Sequence, residues 1–168
     1  SCSVTPYHLF FCDEDLTDYN TNLKVNPPLR SKEDRAALQQ AILNGTVDSL
    51  ATHHLPHEYD SKVIEFEYAK FGMIGLETAY GVLATAVPGI TAARCVELLA
   101  VNPRKLFGLD QASIKEGNPA TLTLFSPAVK WTVLPENIKS KSSNSPFIGK
   151  ELTGKVAGII KGDKIIIS

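Results

Sequence analysis

The sequence predicts two consecutive units: an α/β part over residues 1–111 and a smaller β part over residues 112–168. Three observations lead there. Residues 31–51 read as a capped amphipathic helix followed by a short strand, and a polar, histidine-rich turn comes directly after it. Apolar stretches at helical spacing recur as far as Gly108. Beyond about residue 112 that spacing disappears, and short runs rich in β-branched and aromatic residues take over.

The elements follow in order. Residues 1–4 read as the end of a strand, stopped at Thr5-Pro6, and residues 7–11 are apolar around His8. Asp13-Glu14-Asp15-Leu16 resembles the acidic first turn of a short helix, where negative charge meets unpaired amides. Residues 20–30 have no usable period and contain Pro27-Pro28, which predicts an ordered loop. Ser31 caps the next helix, with Asp34 three residues on. Ala37, Leu38, Ala41 and Ile42 form its inner face, and Asn44-Gly45 ends it. Residues 47–51 are a strand, so residues 52–57 lie just past its C-terminal end, where α/β barrels place their chemistry.

Residues 59–75 make a long connection. Residues 76–86 form a buried helix that Pro88-Gly89 breaks. Thr91 caps a helix through Val101, and Asn102-Pro103 starts a separate short one that Gly108 ends. In the second unit, residues 121–125, 131–134, 156–160 and 164–167 read as strands, with Gly162-Asp163 as a hairpin turn. Residues 139–146 read as a polar loop.

The whole-chain numbers bound the function. The chain has 168 residues, 43% hydrophobic and 21% charged, in the range of a soluble globular protein. A formal net charge of −1 leaves no electrostatic footprint for nucleic acid or a membrane surface. The apolar run at 81–87 is too short to span a bilayer, and no signal peptide is visible. Cys2, Cys12 and Cys95 read as reduced thiols of a cytoplasmic protein. The chain opens on Ser1, inside a strand pattern, which reads as a fragment of something longer.

A series of motifs, in order, resembles the C-terminal portion of dihydroorotases of the multifunctional-complex type, within the amidohydrolase superfamily. Val4-Thr5-Pro6-Tyr7-His8-Leu9 is similar to that family's V-T-P-H-H-L, and Asn22-Leu23-Lys24-Val25-Asn26-Pro27-Pro28-Leu29-Arg30 to its N-F-K-M-N-P-P-L-R. Asn44-Gly45-Thr46-Val47-Asp48 resembles D-G-T-I-D, and residues 51–57 resemble A-T-D-H-A-P-H. Residues 71–77 resemble F-G-I-V-G-L-E. Asn102-Pro103, Phe107-Gly108-Leu109 and residues 140–149 continue the match.

The resemblance implies the last strands and helices of a (β/α)8 barrel plus part of a small β-sandwich. It implies the reversible cyclisation of N-carbamoyl-L-aspartate to dihydroorotate, with zinc as the family's cofactor. Asn26 would bind substrate. His57 would contact it, or else fix its own loop. Phe71 and Gly72 would add rim contacts. His53 stands where the family's metal-binding, proton-shuttling aspartate stands. An imidazole that ligates through one nitrogen presents its other nitrogen on the far side of the ring, so the exchange is not equivalent. No His-x-His pair occurs, and adjacent His53 and His54 on an extended chain would face opposite sides. Zinc is therefore not expected on this chain alone.

Three functions follow: a dihydroorotase with an unusual His53, a non-catalytic dihydroorotase-like scaffold that docks with aspartate carbamoyltransferase, and another cyclic-amide hydrolase of allantoinase or hydantoinase type, against which residues 71–77 argue. Part of a barrel would expose strand edges and favour homo-oligomers. Other polar residues have plainer readings. His8 and His54 are structural, Arg30 pairs with an acid, and Glu77 favours a helix start.

Overall fold

The computed structural model describes residues 1–111 and 113–167. The expected second unit, 112–168, begins and ends on residues outside that set. The first layer is a parallel pair, β1 (Ser3–Val4) beside β2 (Ser49–Leu50), with Val4 opposite Leu50. No other described strand extends this pair; a single parallel bridge joins His54 to Met73 just beyond it.

Thr5-Pro6 does more than stop β1. Thr5 Oγ1 accepts from the His8 N–H at 3.3 Å and Pro6 takes the first helical position, so α1 (Pro6–Phe10) starts at once. Sequence reading missed this helix because it is only five residues long, too short for a period. Its unpaired C-terminal carbonyls are met from α2 (Lys32–Leu43): Arg35 Nη1 donates to Phe10 O at 3.0 Å and Gln39 Nε2 to Leu9 O at 2.9 Å. Ser31 caps α2 as expected, accepting from the Asp34 N–H at 3.2 Å. The inner face differs from expectation. Leu38, Ala41 and Ile42 pack inward, but Ala37 is exposed, and Arg35 and Gln39 turn in because α1 needs donors. Arg94 closes the other end of α2, donating to Ile42 O at 2.9 Å and Val47 O at 2.6 Å.

The buried helix α3 (Ala79–Ala86) begins three residues later than expected. Thr91 caps α4 (Ala92–Val96), accepting from the Arg94 N–H at 3.1 Å. The predicted new start at Asn102 is not there. Asn102 is helical (φ −67°, ψ −43°), and the chain runs through a π turn, Glu97–Val101, into α5 (Asn102–Leu106). Proline cannot donate to the carbonyl four residues back and crowds it; the wider turn takes up that mismatch without ending the helix. The Asn102 side chain, free of capping, donates to Asp48 O at 2.8 Å and ties this helix to the β2 approach. Gly108, at φ +64°, ends it.

The last layer is an antiparallel sheet in the order β3 (Thr121–Thr132), β4 (Glu151–Lys161), β5 (Lys164–Ile167). Two predicted strands, 121–125 and 131–134, are therefore one. Irregular register between Ser126 and Lys130 holds Pro127, which cannot donate to a ladder. The Gly162-Asp163 turn joins β4 to β5 as expected. β4 lies on α3 through two glycines. A Cβ on Gly81 would meet Gly154 O at 3.0 Å, and one on Gly154 (φ +87°) would meet the Tyr80 ring at 2.9 Å. Two apolar clusters result. Val4, Leu9, Ile42, Leu50, Leu83 and Leu98 form one, while Tyr7, Phe11, Met73, Val82, Phe147 and Leu152 form the other.

Candidate functional site at the β2 strand end

The residues singled out from the sequence fall into two groups. His53 leaves β2 in a left-handed conformation (φ +50°), so the extended geometry assumed for His53-His54 does not apply. The two rings still diverge. His53 is exposed, and its Nδ1 lies 2.5 Å from the Tyr7 hydroxyl. His54 Nδ1 accepts from the Gly75 N–H at 3.1 Å and the Leu76 N–H at 3.3 Å, a structural role. With His8, Pro27, Pro28 and Arg30, His53 lines a cavity of about 430 Å³.

His8 is also structural. Its Nε2 meets Pro27 O at 3.1 Å and its Nδ1 meets Thr5 Oγ1 at 2.7 Å. Burial pushes it below the usual histidine value, against the pull of the Pro27 and Pro28 carbonyls, so it is a neutral donor to Pro27. Arg30 pairs with Asp34 at 3.6 Å. Asn26, exposed, precedes a cis bond to Pro27.

His57, Phe71 and Gly72 do meet. His57 Nε2 lies 2.8 Å from Phe71 O, which fixes the loop. Gly72 is buried at φ +110°, and its N–H donates to Lys24 O at 2.8 Å. Its carbonyl accepts from Lys62 Nζ at 3.0 Å and Asn144 Nδ2 at 3.5 Å. The Gly72 backbone is thus committed inside the protein. Lys24 reaches the same loop, donating to Phe66 O at 2.9 Å and Glu67 O at 2.6 Å, with its Nζ 4.8 Å from the Phe71 ring centre.

Sequence reading missed two residues here. Asn144, expected in a polar loop, is buried; its Oδ1 accepts from the His57 N–H at 3.2 Å and its Nδ2 donates to Leu55 O at 2.9 Å. Lys62 is 5% exposed and also donates to Lys70 O at 2.7 Å. Burial, reinforced by Lys24, lowers its ammonium to about 8. Asn144 lies in the matching stretch 140–149, but that stretch does not reveal its partners, and nothing local marks Lys62, because the partners of both come from distant segments. His57, Lys62 and Asn144 line a second cavity of about 250 Å³, which His53 does not reach. Glu77, which precedes α3 rather than opening it, accepts from the Lys139 N–H at 3.1 Å and the Ser140 N–H at 2.7 Å.

The residues present do not fit a zinc centre. Among the described residues, no three His, Cys, Asp or Glu side chains come together as a metal-holding group, and His53 Nδ1 is engaged by Tyr7. No described helix is long and apolar enough to cross a membrane.

The chain is 44% identical to a dihydroorotase of Clostridium acetobutylicum, over 97% of this chain and 39% of that protein. In structure it resembles an L-hydantoinase (dihydropyrimidinase) from Arthrobacter aurescens, with 25% identity, a TM-score of 0.86, and coverage of 99% of this chain and 39% of that one. The inactive dihydroorotase-like domain of the CAD-like multifunctional protein of Chaetomium thermophilum shares the fold, at 23% identity and a TM-score of 0.66, over 98% of this chain and 43% of that one. The chain spans about two fifths of the length of the curated relatives it matches. The Amidohydrolase family matches residues 8–166, and the chain belongs to that family.

Proposed function

We propose that the protein carrying this chain is a dihydroorotase-like amidohydrolase acting in pyrimidine biosynthesis, on the reversible cyclisation of N-carbamoyl-L-aspartate to dihydroorotate. The supporting observation is 44% identity to a dihydroorotase across 97% of the chain. In this reading β1 and β2 are the last strands of a (β/α)8 barrel. Residues 1–111 belong to the barrel and 112–168 to the small β-sandwich. The setting is cytoplasmic, in keeping with free Cys2, Cys12 and Cys95. Asn26, His57 and Phe71 form the substrate rim, with Phe71, 52% exposed, as its most open apolar contact; Gly72, expected there too, supports the rim from inside. Zinc would have to be held by residues beyond the described part of this chain.

The His53 contact with Tyr7 favours a second reading, a non-catalytic scaffold that keeps the fold and docks with aspartate carbamoyltransferase or a second copy of itself. One experiment separates the two: zinc content and dihydroorotate turnover of the protein beside its His53→Asp variant. Turnover with zinc in the unaltered protein supports the enzyme. Turnover only in the variant supports a decayed site on an intact scaffold. Silence in both sinks the catalytic reading.

A further inference from the structure

Tyr7 lies in α1, just after β1, and His53 lies just after β2. They are 46 residues apart in sequence and in contact in the fold. The strands explain how. β1 and β2 run parallel with Val4 opposite Leu50, and Tyr7 and His53 each lie three residues further on. The two rings stack at 6.2 Å between centres, with the Tyr7 hydroxyl on His53 Nδ1.

The direction of that hydrogen bond follows from the acidities of the two groups. Tyr7 is 2% exposed, and burial raises its phenol above the usual value despite Thr5 nearby, so it keeps its proton. The Tyr7 hydroxyl lies 2.5 Å from His53 Nδ1, and between a neutral phenol and a neutral imidazole the phenol is the stronger acid, so Tyr7 donates to His53 Nδ1. A neutral imidazole that accepts at Nδ1 carries its own proton on Nε2.

We propose that Tyr7 is a positioning residue that holds His53 as the Nε2–H imidazole. The position is then a hydrogen-bond donor rather than a carboxylate. Ligating a metal through Nε2 would require that proton to move to Nδ1 and the Tyr7 bond to reverse. Among the described residues, the wall of the cavity that His53 lines holds no Asp or Glu and includes Arg30, which suits an acceptor oxygen such as a carboxylate. The proposal rests on the Tyr7–His53 contact and not on turnover, so it can fail without touching the catalytic reading, and the reverse also holds.

The test is the imidazole nitrogen spectrum of the protein and of Tyr7→Phe, with His8 as internal control. The expected result is His53 as the Nε2–H tautomer, moving to a tautomer mixture in Tyr7→Phe while His8 stays unchanged. A His53 that carries its proton on Nδ1, or that ignores Tyr7→Phe, overturns the proposal. Thermal midpoints of Tyr7→Phe, His53→Ala and the double variant give a second decision. The double shift should be smaller than the sum of the singles, and additive shifts overturn the coupling. If Tyr7→Phe does not fold, His53→Ala decides from the other side. The bonded Tyr7 hydroxyl proton should vanish from the spectrum, and its persistence overturns the proposal.

Discussion

His53 and His57 are four residues apart, yet the fold treats them as parts of different structures. The His57 corner is bound from outside its own segment. Asn144 takes its N–H, Phe71 O meets its ring, and buried Lys62 and Lys24 tie down the carbonyls of 66–72. The His53 corner is exposed and sits in a left-handed conformation, and what holds its ring is the Tyr7 hydroxyl. Many small polar bonds to backbone make the first corner rigid whatever its side chains do chemically. The second depends on a single pair, so its chemistry can change with few substitutions.

The comparison breaks most readily at Asn144. Asn144→Ala should cost about 3 kcal/mol, because it leaves the His57 N–H and the Leu55 carbonyl without partners in a buried place. A thermal-unfolding shift within error of zero would mean that the corner is held by something else.

Lys62 gives the next largest effect, and it depends on pH. Its folded value of about 8 lies below the usual 10.5, so folding favours the neutral amine. Below pH 8 the folded protein carries the full penalty of a buried charge. Between 8 and 10.5 the unfolded chain binds the extra proton, so stability rises with pH, by at most about 3 kcal/mol. Denaturant titrations across that range should show the rise, and Lys62→Met should lack it.

Tyr7→Phe should cost only about 1 kcal/mol, one hydrogen bond to an exposed imidazole. Amide exchange at Leu55 and Gly72 should stay unchanged; a loss of protection there would mean that the two corners are coupled after all. The smallest effect belongs to Arg30→Ala, within about 0.5 kcal/mol, since the Arg30–Asp34 pair is largely in solvent.

The local elements were largely legible. Ser31 and Thr91 each announce a helix through a hydroxyl that bonds three residues ahead, and Gly108 and Gly162-Asp163 mark turns that were found where expected. Asn102-Pro103 shows the limit of the same rule. A start signal inside a longer helix is read wrongly when a π turn can absorb the proline. The strand 121–132 was split for a similar reason, since an irregular register lets a proline sit within one strand.

The candidate site was legible as a set of motifs and illegible as a set of contacts. The motifs placed His53, His57 and the residue 71–77 loop on this side of the fold because each is a short run of fixed order. They could not show that His57 is held by a residue 87 positions away, or that Tyr7 and His53 touch. What the sequence by itself determined is whatever a cap, a turn or a period can settle within three or four residues. Only the tertiary structure decided which side chains satisfy the buried carbonyls and that Tyr7 and His53 meet, because those partners are brought together by strand pairing and packing, not by proximity along the chain.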